Sequence, residues 1–229
     1  MRTSDQGIFA LMIHEGIVPG PYKDSVGVWT FGIGHTKAAG EPNPAMMPMG
    51  MPADLDAALA RVFEVFRKDL ERYEREVAAA ITVPVSQMQF DAAVSFHYNT
   101  GAIRKASWVK KLNAGDQAGA AKAIMNWSKP KAIIPRRKAE QKLFRNGGYP
   151  TGKATVWGVD RNGNVKWTPV RTIDKAEAMA LLRGSIVHDM PEEQAEGAGV
   201  VAVGIATLIA LAGGALAALW DKIAALFGG

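Results

Sequence analysis

The chain opens on a run of six apolar residues, Ile8-Phe9-Ala10-Leu11-Met12-Ile13. Thr3 and Ser4 ahead of it are both good helix N-caps, and Gly16 behind it is a helix-terminating residue. A first helix is therefore expected over residues 3–14. The period then changes. Asp24-Ser25-Val26-Gly27 reads as a turn, and Val28-Trp29-Thr30-Phe31 as the returning strand, with Thr30 facing away from Trp29 and Phe31. Residues 22–36 thus read as a glycine-rich β-hairpin. Residues 37–52 interleave Pro42, Pro44, Pro48 and Pro52 with Met46, Met47, Met49 and Met51, and the prolines exclude a regular helix or strand. The expectation is a surface loop whose methionines pack on the domain; a soft lip on a cleft is the alternative.

Helical periodicity returns at residues 53–80, where Leu55, Leu59, Val62, Phe66, Leu70, Tyr73 and Val77 recur at steps of three and four. Pro84 ends that pattern. Ser86 and Gln89 form a capping box for the next helix, whose inner face carries Phe90, Ala93, Val94 and His97; His97 has no second ligand at metal-binding spacing. Short helices are expected over 107–113, 117–127 and 135–146, the last ended by Gly147-Gly148. Val156-Trp157-Gly158-Val159 and Val165-Lys166-Trp167 flank Asn162-Gly163, a strong hairpin signal. Simple pairing about that turn puts Trp157 and Trp167 on opposite faces. Asp174 with Glu177 caps a final helix reaching about residue 183.

The last pattern is different in kind. Residues 198–220 are 23 residues without a charge. As a helix they would extend about 35 Å, enough to cross a bilayer core, with Trp220 at the interfacial end. Ala198, Ala202, Ala206, Ala210, Gly214 and Ala218 make a small-residue stripe suited to close helix packing and homo-oligomerisation in a membrane. A helical hairpin broken at Gly213-Gly214 is the alternative.

The 229 residues contain no cysteine, so no disulfide framework exists. The net charge is +5, but residues 189–229 hold five acids against one base, which leaves +9 on residues 1–188. A basic domain suits an anionic polymer such as bacterial cell wall. Nucleic acid would also suit that charge, but no basic-aromatic binding motif accompanies it, and no nucleic-acid partner is expected. No cleavable signal peptide is evident at the N-terminus.

Three residues in the first forty can carry hydrolytic chemistry. Breaking a glycosidic bond needs a proton for the leaving oxygen and a second carboxylate on the far side of the sugar. Glu15, where a packed helix ends, is the candidate acid; an acid working near neutral pH needs surroundings that hold its proton. Asp24 is the candidate second carboxylate, with the hydroxyl of Thr30 beside it.

Glu15-Gly16, Tyr22-Lys23-Asp24, Gly27 and Thr30-Phe31-Gly32-Ile33-Gly34-His35-Thr36 resemble the active-site signature of phage-type lysozymes, glycoside hydrolase family 24. Gln89-Phe90-Asp91-Ala92, Ser95-Phe96, Asn99-Thr100-Gly101, Leu112-Asn113-Ala114-Gly115-Asp116 and Arg136-Arg137-Lys138-Ala139-Glu140 extend the resemblance over roughly residues 4–146. It implies an α+β, mostly α fold: a small β-hairpin lobe and a helical lobe joined by a long helix, followed here by a C-terminal hydrophobic helix. The expected organisation is a muramidase domain at 1–148, an added hairpin and helix at 149–188, an acidic linker at 189–197, a membrane span at 198–220 and a short tail at 221–229. The resemblance further implies Glu15, Asp24 and Thr30 as catalytic residues, Tyr22, Gly32 and His35 as substrate contacts, and Arg136 or Arg137 as support for Glu15.

The resemblance implies an endolysin that hydrolyses the β-1,4 bond between N-acetylmuramic acid and N-acetylglucosamine in peptidoglycan, with inversion at the anomeric carbon; no metal or organic cofactor is expected. Its place would be the host inner membrane, held by the C-terminal helix and acting on the periplasmic wall. The alternative is a membrane-anchored, wall-binding module with a structural or virion role. A transglycosylase would lack the water-holding aspartate.

Overall fold

The protein is described from a computed structural model over residues 1–188. The acidic linker, the apolar span at 198–220 and the final tail lie outside the described residues. Among the described residues no helix is long and apolar enough to cross a membrane.

The elements sort into two compact units, one holding residues 1–11 and 70–151, the other residues 12–69 and, of the described remainder, 152–188. Helices α1 (Asp5–Glu15) and α2 (Leu55–Ala80) each contribute residues to both. Ser4 is the N-cap of α1: its hydroxyl accepts from the Gly7 amide at 3.0 Å, which satisfies one of the free donors of a helix start. Asp54 caps α2 in the same manner, through the amides of Asp56 and Ala57.

The first unit is built on α3 (Gln87–Thr100), buried from Phe90 to Tyr98 and opened by the expected capping box of Ser86 and Gln89. Helices α4 (Ser107–Asn113), α5 (Gln117–Ala123) and α6 (Ile134–Asn146) complete it. A 3-10 turn at Ile124–Trp127 takes over from α5 where one helix was expected through 127. The centre is aromatic: Phe96 meets Trp108 edge-on at 5.3 Å and Trp127 at 5.4 Å, and Trp108 meets Phe144 at 5.8 Å. Asp91, 2% exposed, ties this core to the chain start. It accepts from the Ser4 amide at 3.1 Å, the Tyr149 hydroxyl at 2.7 Å and the Gln87 side-chain amide at 2.8 Å, and also from the Ser4 hydroxyl. His97, on the same helix, bonds Glu76 at 2.8 Å.

The second unit holds two antiparallel sheets. Strands β1 (Val18–Lys23), β2 (Trp29–Gly32) and β3 (His35–Thr36) form the first in that order. Strands β4 (Ala154–Val159) and β5 (Val165–Ile173) form the second. A parallel bridge between Ile17 and Val156, with the Trp157 amide donating to the Ile17 carbonyl at 3.0 Å, connects them. The added hairpin therefore packs into the same unit as β1–β3. Arg171, 5% exposed, pairs with Asp56 of α2 and with Glu177 of α7 (Lys175–His188).

Two expectations change. Trp157 and Trp167 do not lie on opposite faces: their rings pack together at 5.7 Å and 67°. The register moves from Gly158↔Lys166 to Trp157↔Pro169, so Trp167 and Thr168 are the extra residues of a bulge, and a bulge re-aims side chains. The proline-methionine loop does not bury its methionines either. Pro44 is buried, whereas Met46 is 81%, Met49 37% and Met51 40% exposed, because prolines between them forbid the regular periodicity that would turn all four to one face.

Replacing Asp91 with Ala is expected to lower stability by about 2 kcal/mol, since it removes the shared acceptor of several part-buried donors at once. Urea denaturation of wild type and variant checks this; a loss under about 1 kcal/mol would show that Asp91 does not organise the chain start.

Candidate active site

Glu15 is the last residue of α1 and 4% exposed. The helix closes behind it when the Gly16 amide donates to the Met12 carbonyl at 2.9 Å. The chain then enters β1 and turns at Asp24. That turn is a backbone cage: Oδ1 of Asp24 accepts from the amides of Val26 at 2.9 Å and Val28 at 2.8 Å. The Asp24 amide donates to the Val28 carbonyl at 3.0 Å, and Gly27 donates back to Asp24 at 3.1 Å. Among the described residues Asp24 Oδ2 has no hydrogen-bond donor, so one carboxylate oxygen is anchored and the other is free.

Thr30 lies in β2, paired with Tyr22 on one side and Thr36 on the other. It is 1% exposed. Its hydroxyl donates to the Val28 carbonyl at 3.1 Å, which commits its only proton and leaves its oxygen as an acceptor.

Tyr22 shows that these groups converge. Burial pushes its phenol well above the ordinary tyrosine range; the negative charges of Glu15 and Asp24 push the same way, and the neighbouring Thr30 hydroxyl opposes weakly. One buried ring thus senses both carboxylates and the threonine. Tyr22 is only 1% exposed, and it packs with Val18 and Val159 in a small apolar cluster. Its side chain presents almost no surface to a polymer, and its place is behind the site.

The other two expected substrate contacts are also turned inward. Gly32 stands at φ 62°, and a side chain there would meet Val62 of α2 at 3.1 Å; the missing side chain makes room for α2. His35, 1% exposed, lies between the Asp69 carboxylate and the Pro42 carbonyl, each at 2.8 Å from a ring nitrogen. Two acceptors on two nitrogens call for the doubly protonated ring. His35 therefore ties the hairpin to α2 and to the proline-methionine loop.

Arg136 and Arg137, both fully buried, belong to the first unit. Arg136 Nε lies 3.1 Å and Arg137 Nη1 2.6 Å from the Glu140 carboxylate. Arg136 also donates to the Ser95 carbonyl at 3.0 Å, and Arg137 donates to Asn99 and covers the Phe96 ring at 5.0 Å. The same unit has a concavity of ≈ 310 Å³ lined by Asn99, Thr100, Trp127, Lys129, Pro130, Ala132 and Ile133. The sequence does not single out this pocket, although Asn99-Thr100-Gly101 was visible as a motif; Trp127 enters its lining from the 3-10 turn that follows α5.

Residues 12–140 match the phage lysozyme family model. An endolysin of Acyrthosiphon pisum secondary endosymbiont phage 1 is 32% identical over 158 residues, which covers 64% of this chain and 99% of that protein. A SAR-endolysin of Escherichia phage Mu is 31% identical over 145 residues, 60% of this chain and 78% of that protein. Among solved structures, an endolysin from Escherichia coli O157:H7 phage FAHEc1 superposes with a TM-score of 0.57 at 30% identity, covering 66% of this chain and 98% of that one.

Tyr22→Phe removes a buried hydroxyl that has no hydrogen-bond partner of good geometry. It is expected to leave stability within about 1 kcal/mol and the KM for cell-wall sacculi within about twofold. A several-fold rise in KM would place Tyr22 on the substrate instead.

Proposed function

The chain belongs to the phage lysozyme family, and from that premise we propose that Glu15, Asp24 and Thr30 carry out its hydrolysis. The protein is an endolysin, a muramidase that lyses bacterial peptidoglycan. The bond is the β-1,4 linkage between N-acetylmuramic acid and N-acetylglucosamine. Glu15 delivers a proton to the leaving glycosidic oxygen.

On the other face of the sugar, a water is held by Asp24 Oδ2 and the Thr30 oxygen. The division of Asp24 into one anchored and one free oxygen is the observation that carries this reading. Both acceptors take hydrogens from the water, because Thr30 has already given its proton to Val28. A water that donates to two acceptors turns a lone pair away from them, toward the anomeric carbon. Displacement by that water inverts the anomeric carbon. The net +9 of residues 1–188 draws the enzyme to the anionic wall.

The charge-free stretch at 198–220 anchors the enzyme in the inner membrane as a single span, and its small-residue stripe pairs copies there. The relative from Escherichia phage Mu carries the name SAR-endolysin. In this chain the anchor stands at the C-terminal end, with the enzyme delivered to the periplasmic wall.

Glu15→Gln and Asp24→Asn are each expected to slow the clearing of purified sacculi by at least about 100-fold, while wild type releases products with reducing muramic acid ends. Anhydro ends in the product mass spectrum would overturn the hydrolytic assignment. Deleting residues 197–229 is expected to keep muramidase activity and abolish membrane association; a truncated protein that still floats with membranes in a density gradient would remove the anchor.

A further inference from the structure

The hairpin β4–β5 begins at Ala154, past the residues 12–140 that carry the family match. It nevertheless packs on the strand that leads into Asp24. The Lys23 amide donates to the Gly163 carbonyl at 2.9 Å, one residue before the catalytic carboxylate. Gly163 is buried at φ 79°, and a Cβ there would lie 2.6 Å from Trp29 Cζ3 and 3.6 Å from the Tyr22 Cα. Only a glycine brings that carbonyl so close. Val159, with Trp157 and Val165 behind it, packs in the same cluster as Val18 and Tyr22.

The loop that presents Gly163 is built like the loop that presents Asp24. Asp160 Oδ1 accepts from the amides of Asn162 at 2.9 Å and Asn164 at 3.0 Å. The Asp160 amide donates to the Asn164 carbonyl at 3.0 Å, and Gly163 donates to Asp160 at 3.1 Å. Lys166 bonds Asp160 Oδ2 at 2.8 Å and, with the loop amides, holds that carboxyl well below the usual carboxylate range. In this second loop both carboxylate oxygens are occupied, so it serves as scaffold, whereas the Asp24 loop keeps one free.

We propose that β4–β5 is a positioning brace for Asp24, and that Gly163 is the residue through which it acts. The brace grips Lys23, Tyr22 and Trp29, the strand residues on both sides of the Asp24 loop, and so sets where Asp24 Oδ2 points. It rests on the reading that Asp24 holds the attacking water. A displacement of about 1 Å at such a group can cost up to roughly 100-fold in rate, so a hairpin that never touches substrate can control turnover.

The test uses the full chain carrying Gly163→Ala, Gly163→Ala with Trp29→Phe, Asp160→Ala, and Asp24→Asn as reference. Asp160→Ala loosens the bracing loop without adding an atom against the catalytic hairpin, so it remains informative where Gly163→Ala does not fold. The readouts are kcat and KM on sacculi, thermal unfolding, and hydrogen exchange at the amides of Lys23, Val26 and Val28. Both single brace variants are expected to exchange faster at these amides and to lose about tenfold or more in kcat with KM within about twofold. Trp29→Phe removes the outer ring atoms that a new Cβ would strike and is expected to return part of the lost kcat. Unchanged exchange in Asp160→Ala would show that the loop does not hold Asp24. Faster exchange with wild-type kcat, beside an inactive Asp24→Asn, would make the hairpin a stabilising element only. An active Asp24→Asn would overturn the proposal through its premise, whatever the exchange shows.

Discussion

The two backbone amides on Asp24 Oδ1 are the constraint on which the site depends. A carboxylate on a flexible side chain can point either oxygen anywhere; here the amides of Val26 and Val28 hold one oxygen in the plane of the turn. Its direction is then a property of the backbone, and whatever shapes the turn sets where the second oxygen points. Strand pairing places Tyr22 across from Thr30, so the threonine oxygen and the anchored aspartate arise from one register. The phenol of Tyr22 is buried beside them, packed with Val18 and Val159. Burial keeps that phenol neutral, and the nearby negative charges reinforce the effect.

Three buried ionic nodes hold the elements in place, and they work by different means. Asp91 is a carboxylate satisfied by a backbone amide, two hydroxyls and a side-chain amide, and it secures the start of the helix that ends in Glu15. Glu140 accepts two guanidinium groups one helical turn away or less, in a site shielded from solvent. Arg171 reaches from β5 to α2 and α7. Buried ion pairs such as those of Glu140 gain little net stability over apolar packing, because both partners give up hydration, but breaking one leaves a bare charge and is costly. Their effect is to admit one arrangement of the helices and to penalise its neighbours.

Local chemistry was legible where a single stretch of chain contains both partners. The capping box of Ser86 and Gln89, the glycine end of α6 and the long amphipathic α2 follow from propensity and periodicity, and all are present. The tryptophan hairpin was legible as a hairpin. The faces of its tryptophans were not, because a bulge adds Trp167 and Thr168 to one strand and brings the two rings together. The methionine loop misled in the opposite direction: methionine is usually buried, but a chain broken by proline cannot present every second residue to one surface.

At the site, the sequence by itself determined the chemical groups and their order. Glu15 at a helix end, Asp24 in a turn and Thr30 on the returning strand are consequences of local capping, turn and strand signals. Tertiary structure decided what each neighbouring residue does. Tyr22, Gly32 and His35 sit in the same run, yet each is buried against a different distant residue: Tyr22 against Val159, Gly32 against Val62 and His35 against Asp69. Spacing along a chain states which side chains share a face of a strand. Which face is then covered, and by what, depends on elements far away in sequence, here Val62, Asp69 and Gly163.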